Sequence, residues 1–130
     1  MSMAGKSYNI RLVPNRLAIV QMKPGAAVPS WAWTDPFSAV VRTASETTIV
    51  CNQNVLPDDL EAERDWVALT IEGKFPFSMT GVLSSLIEPL AANEISVFAV
   101  STFDTDYVLV KAECVQEATE ILRSRGHVVR

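Results

Sequence analysis

Trp66-Val67-Ala68-Leu69-Thr70-Ile71-Glu72 is followed by Thr80-Gly81-Val82-Leu83-Ser84-Ser85-Leu86-Ile87-Glu88-Pro89-Leu90-Ala91-Ala92, and between the two stretches the hydrophobic period changes. In the first, Trp66, Ala68 and Thr70 point one way and Val67, Leu69 and Ile71 the other, as in a strand. In the second, Leu83, Leu86, Ile87 and Leu90 fall at i, i+3, i+4 and i+7, the stripe of an amphipathic helix. Ser78 or Thr80 suits its N-cap, and Asn93 suits a left-handed stop. Pro89 deletes one backbone hydrogen bond and predicts a kink near the helix end.

Downstream, Ile95–Thr102 and Tyr107–Lys111 read as strands around a turn at Phe103–Asp106. Val115–Arg125 reads as a second helix, with Val115, Ala118, Ile121 and Leu122 inward. Its glutamates come early, its arginines late, and Gly126 follows as C′ residue. His127–Val129 closes as a short strand, with His127 at the surface or a strand edge. From Trp66 the order is β-α-β-β-α-β, the ferredoxin-like arrangement.

Upstream the same order recurs in reduced form. Tyr8–Val13 and Leu17–Met22 read as strands, and Phe37–Thr43 and Thr47–Asn52 as a hairpin. Ser30-Trp31-Ala32-Trp33 is one helical turn where a full helix is expected, with at least one tryptophan in the core. Gln53–Asp65, with Pro57 and its acidic residues, reads as an exposed connection. The hairpin Val40–Val50 overlays Ala99–Leu109 in apolar pattern, a weak internal repeat. The expected fold is α+β, with two ferredoxin-like βαβ units sharing one compact body. The first unit, 7–65, is degenerate and the second is 66–130. The first lacks a full helix to cover its sheet, so its apolar face is expected to need the second.

Composition limits the function. The hydrophobic content of 48% and charged content of 20% suit a packed core. A net charge of -4 without a Lys/Arg cluster argues against nucleic acid. No run of about 20 apolar residues predicts a membrane span, and Met1–Ser7 lacks a signal-peptide core. Cys51 and Cys114 are far apart and His127 is the one histidine, too few soft ligands for zinc. A cytoplasmic protein with reduced thiols, no metal and no cofactor is expected. No nucleophilic elbow, phosphate loop or acid–base pair in a cleft is legible, so no catalytic residue is assigned.

Thr80-Gly81-Val82-Leu83 followed by Ile95-Ser96-Val97-Phe98 resembles an ACT domain. The run Ile71–Lys111, with Phe77-Ser78-Met79-Thr80-Gly81 and Ser101-Thr102-Phe103-Asp104-Thr105-Asp106-Tyr107, is similar to a narrower group. These are small bacterial and fungal proteins with two tandem ACT units, related to the ACT pairs of the animal cytosolic arginine sensor. The resemblance implies an amino acid bound at the junction of ACT units, often across a dimer.

Two residue groups suit such a ligand. The helix start at Ser78, Met79, Thr80, Gly81 and Val82 offers backbone N–H groups to a carboxylate; the same residues also suit an ordinary capped start. Ser101, Thr102, Phe103, Asp104 and Asp106 form a turn with two carboxylates for a cationic group, or a simple hairpin turn bonded to itself. The first-half turn Thr43–Glu46, with Thr43 and Glu46, is expected to close the pocket. The reading is a non-enzymatic sensor of an amino acid or similar zwitterion; the alternative is a ligand-free dimerisation module. Exposed strand edges predict a homodimer.

Overall fold

The computed structural model describes residues 6–76 and 78–130. Residues 1–5 and Phe77 lie outside it, so part of the N-terminal reading and one residue of the ACT-like run fall outside the description. The described residues form eight strands and two α-helices, the expected α+β class. The chain divides into two units: one holds 14–66, the other 6–13 and Val67–Arg130.

The second of these contains β1 (Asn9–Leu12), the end of β5 (Glu63–Ile71), α1 (Ser84–Ala92), β6 (Phe98–Ser101), β7 (Asp106–Lys111), α2 (Val115–Ser124) and β8 (Val128–Val129). From β5 onward the order is β-α-β-β-α-β, as read from the sequence. One strand was not foreseen in this place. β1, which the sequence reading put in the unit 7–65, pairs antiparallel with β5 (Ile10 opposite Ile71) and parallel with β8 (Ile10 opposite Val129). It thus separates β5 from β8, and the strand order is β6-β7-β5-β1-β8. The core under this sheet joins Ile10, Leu69, Ile71, Leu86, Leu90, Val108, Val110, Ala118 and Leu122, with Leu83, Ile87, Val115 and Ile121 packed against it. Both helical stripes therefore face the core as their spacing required.

Helix α1 begins later than expected. Gly81 has φ +83°, outside the right-handed helical range, so helical geometry starts only after it. Leu83 is the N-cap residue and no side chain caps it, which corrects the assignment to Ser78 or Thr80. At the other end Asn93 has φ -106° and its side chain donates to the Pro89 carbonyl at 2.8 Å. Glu94, with φ +60°, takes the left-handed position instead. α2 ends as read, with Gly126 at φ +93°.

The unit 14–66 holds β2 (Leu17–Met22), β3 (Ala39–Arg42), β4 (Thr47–Asn52) and the start of β5, in the order β3-β4-β2-β5. All its neighbouring strands are antiparallel, so it has the ferredoxin-like ladder. Its two crossovers carry single 3₁₀ turns, Ser30–Ala32 and Gln53–Val55. The core is small: Ala18, Val20, Ala32, Ile49, Cys51 and Leu56, with Trp31 against it. Trp33 is exposed. The expected loop Gln53–Asp65 is corrected: its end is already strand β5. Asp65, at φ +63°, bulges the strand so that Glu63 and Trp66 face Ile19 and Leu17. Its carboxylate takes Arg16 at 2.9 Å and Gln53 at 3.0 Å.

The left-handed backbone at Glu94 favours glycine, since a Cβ there costs about 1–2 kcal/mol. Glu94→Gly is expected to raise stability by up to about 1 kcal/mol in denaturant titration, while Asn93→Gly gains nothing and loses its bond to Pro89.

Candidate functional site

The pocket is built on the turn between β6 and β7. Ser101 and Asp106 are paired across the ladder, and Ser101 Oγ donates to Asp106 Oδ1 at 2.6 Å. Within the turn the Thr102 N–H donates to the Thr105 carbonyl, and Thr102 Oγ1 accepts from the Thr105 N–H. Two hydroxyls fasten the turn to β5 and its neighbour: Thr105 Oγ1 donates to the Ile71 carbonyl at 2.8 Å, and Thr70 Oγ1 to the Asp106 carbonyl at 3.1 Å. The Asp104 carbonyl accepts from the Phe75 N–H at 2.8 Å, which holds the segment after β5 against the same turn.

Between them lies a cavity of about 220 Å³ lined by Phe75, Pro76, Met79, Val82 and the turn residues Ser101 to Asp106. Of the residues read from sequence, Met79, Val82, Ser101, Thr102, Phe103, Asp104 and Asp106 meet here. Phe75, Pro76 and Thr105 were missed; the turn spacing could have supplied Thr105, whereas nothing local marks Phe75. Gly81 lines a neighbouring, more apolar cleft of about 440 Å³ together with Met79, Val82, Leu83, Ile87 and Asp106. Ser78 and Thr80 are exposed and line neither.

Thr43 and Glu46 lie in the β3–β4 turn of the unit 14–66. Thr43 Oγ1 accepts from the N–H groups of Ser45 and Glu46, and Glu46 Oε1 accepts from Gln21 and Thr48. Their side chains are used within their own unit.

Two polar groups of the pocket differ in availability. The Asp104 carboxylate makes no side-chain hydrogen bond or ion pair among the described residues. The Met79 N–H is taken by the Pro76 carbonyl at 2.9 Å, so it is not free for an anion. The hydroxyls of Ser84 and Ser85 donate back to the carbonyls of Gly81 and Val82. Among the described residues no group of three or more His, Cys, Asp or Glu gathers as a metal site needs, and no helix is long and apolar enough to cross a membrane. Cys51 and Cys114 are free, and burial pushes the Cys51 thiol up.

Gly81 has space around it: an added Cβ meets only Ser84 Oγ, at 4.0 Å. Its backbone is the constraint, so Gly81→Ala is expected to destabilise the fold by about 1 kcal/mol in thermal or denaturant unfolding, from the left-handed geometry and not from a clash.

Comparison with known proteins bears on the family and the fold. The ACT-domain family model matches residues 61–124, and a model described as an N-terminal domain matches 15–59. Protein Atu0741 from Agrobacterium tumefaciens is 30% identical, with 97% of this chain and 94% of that one covered and a TM-score of 0.91. The human protein CASTOR3P is 33% identical over 101 residues, 68% of this chain. The chain spans 62% of that curated relative's length. The regulatory subunit of aspartate kinase from Thermus flavus, 13% identical, shares the fold with a TM-score of 0.65, with 92% of this chain and 99% of that one covered. Through residues 61–124 the chain belongs to the ACT-domain family.

Proposed function

We propose that the protein is a non-enzymatic regulatory module that binds an amino acid or a similar small zwitterion in the pocket between Phe75, Pro76, Met79 and Val82 and the turn Ser101–Asp106. One observation carries this reading. The Asp104 carboxylate, unpartnered among the described residues, lines a pocket with a second carboxylate, Asp106, and its bonded hydroxyl, Ser101. Two carboxylates beside a helix start match a molecule that carries both an ammonium and a carboxylate. The solved aspartokinase III of Escherichia coli, which shares the fold at 11% identity over 32% of its own length, is described in complex with aspartate and ADP. Cytoplasmic residence suits the free thiols Cys51 and Cys114.

A second reading is a ligand-free dimerisation module. It is favoured by β6, which ends the strand order of its unit, and by Phe103, 78% exposed beside it. Unpaired edges with exposed aromatics suit self-association, and a homodimer is compatible with either reading.

A thermal-shift screen of the full chain against the standard amino acids separates the two, because a ligand that binds only the folded state raises the melting temperature. Under the first reading at least one amino acid shifts it. Calorimetry with that amino acid then shows the Asp104→Asn/Asp106→Asn double variant binding about 10- to 100-fold more weakly, the loss of a charge-assisted hydrogen bond. No shift with any amino acid, together with a dimer in sedimentation, selects the second reading. Unchanged affinity in the double variant places the ligand elsewhere.

A further inference from the structure

His127 is buried, 6% exposed, which overturns the surface alternative of its reading, and it directly precedes β8, the strand that ends the strand order. Its Nδ1 accepts the Tyr8 N–H at 3.1 Å. Its ring stacks on Tyr8, centroids 5.8 Å apart at 18°. The Ser85 carbonyl lies close enough to the imidazole to favour its protonated form. That carbonyl needs a donor for a covalent reason. Its helical partner four residues on is Pro89, which lies inside α1 and has no N–H. Because Nδ1 accepts from the Tyr8 N–H, the neutral ring carries its proton on Nε2, the one nitrogen left to serve that carbonyl.

Both partners of the ring lead to the pocket. Tyr8 meets Phe75 edge to face, centroids 5.8 Å apart at 84°, and the Phe75 N–H is bonded to the Asp104 carbonyl. Ser85 opens α1, and its hydroxyl donates to the Val82 carbonyl at 2.6 Å. Phe75 and Val82 stand among the residues lining the cavity.

We propose that His127 is a positioning residue of this pocket: the neutral imidazole holds Tyr8 and the first turn of α1, and through them Phe75 and Val82. The proposal rests on the reading of the cavity as the ligand site. A second proton on Nδ1 points at the Tyr8 N–H, donor against donor, so the strut releases when the ring is charged. Burial lowers the proton affinity of the ring, and the Ser85 carbonyl opposes this only in part. The titratable and charged groups on the surrounding elements are Tyr8 next to β1, Glu88 on α1, Glu117, Glu120 and Arg123 on α2, Arg125 after it, and Arg130 beyond β8. Apart from Tyr8, whose N–H and ring are described above, none of these charged side chains bonds the imidazole among the described residues: Arg123 donates to the Val129 carbonyl and Arg130 pairs with Glu72. Because the folded ring binds its proton less tightly than the unfolded one, stability is fully present above about pH 6.5 and is lost as pH falls below it.

The test is a pH titration of the full chain by NMR, without ligand. In the wild type the imidazole is expected to titrate below its ordinary value, and the Phe75 and Val82 amides to shift with the same midpoint. His127→Gln retains an acceptor and a donor but no charge, so at pH 7.5 its Phe75 and Val82 shifts stay near wild type and no longer respond to acid. His127→Ala displaces them at every pH. Should that variant not fold, the wild-type and glutamine titrations decide. Amides of Phe75 and Val82 that stay flat while the imidazole titrates overturn the proposal, as does a wild-type acid response in His127→Gln. With an amino acid from the thermal-shift screen, the apparent Kd is expected to rise about tenfold per pH unit below the imidazole midpoint, as the competent fraction falls. That rise is absent in His127→Gln. Failure to find any binding amino acid counts against the ligand reading, and the amide titrations still judge the strut.

Discussion

The last residues of β5 have no free edge. β1 pairs on one side and β7 on the other, and Ala68 to Ile71 are buried on both faces. A strand so enclosed must be apolar almost throughout, and the one polar residue there, Thr70, is 3% exposed and satisfied by the Asp106 carbonyl. That satisfaction has a consequence beyond the core. Thr70 and the bond from Thr105 to the Ile71 carbonyl fix the β6–β7 turn to the end of β5. The same backbone, two residues past a glycine, brings Phe75 back onto Asp104. The pocket therefore sits where a rigid central strand ends, its loops held by hydrogen bonds to that strand.

The two units share a ladder and differ in what covers it. α1 and α2 lay full stripes of leucine, isoleucine and valine on one sheet. In the unit 14–66 the segment between β2 and β3 carries Pro24, Gly25, Pro29 and Pro36. Prolines at this spacing remove N–H donors faster than a helix can use them, and only the turn Ser30–Ala32 survives. Ala32, Trp31 and Leu56 then do with loops what helices do elsewhere. A cover of this kind buries less apolar area per residue, and hydrophobic stabilisation scales with that area.

What was legible follows from the range of each signal. Leu83, Leu86, Ile87 and Leu90 declare α1 because one helix face buries them all, and Gly126 declares the end of α2 because a left-handed residue must follow it. The start of β5 was hidden: Glu63, Arg64 and Asp65 are charged, and the bulge at Asp65 breaks the alternation that marks a strand. The place of β1 was hidden because pairing partners such as Ile71 and Val129 lie far along the chain. The turn Ser101–Asp106 was visible as a turn, yet Phe75 reaches it only through a long-range backbone bond. His127 looked peripheral for the same reason. A signal did exist: Pro89 within a helical stripe implies an orphaned carbonyl at Ser85, and an orphaned buried carbonyl implies a donor from elsewhere.

The pocket's polar groups also divide by what the fold already asks of them. Thr102 Oγ1 is consumed by its own turn, and Ser84 and Ser85 hydroxyls bond back to the preceding turn, a habit of serine at a helix start. Ser101 is committed to Asp106, which leaves that carboxylate with further lone pairs but a fixed orientation. Asp104 is different, because its carbonyl accepts from the Phe75 N–H while its side chain makes no bond among the described residues. A turn needs Asp or Asn for backbone reasons, and either would serve if the side chain bonded locally. Here it does not, so the charge at Asp104 contributes nothing that the described turn requires. A cationic group entering the pocket is the partner such a charge suits, and this separates Asp104 from the residues around it, whose chemistry the fold alone explains.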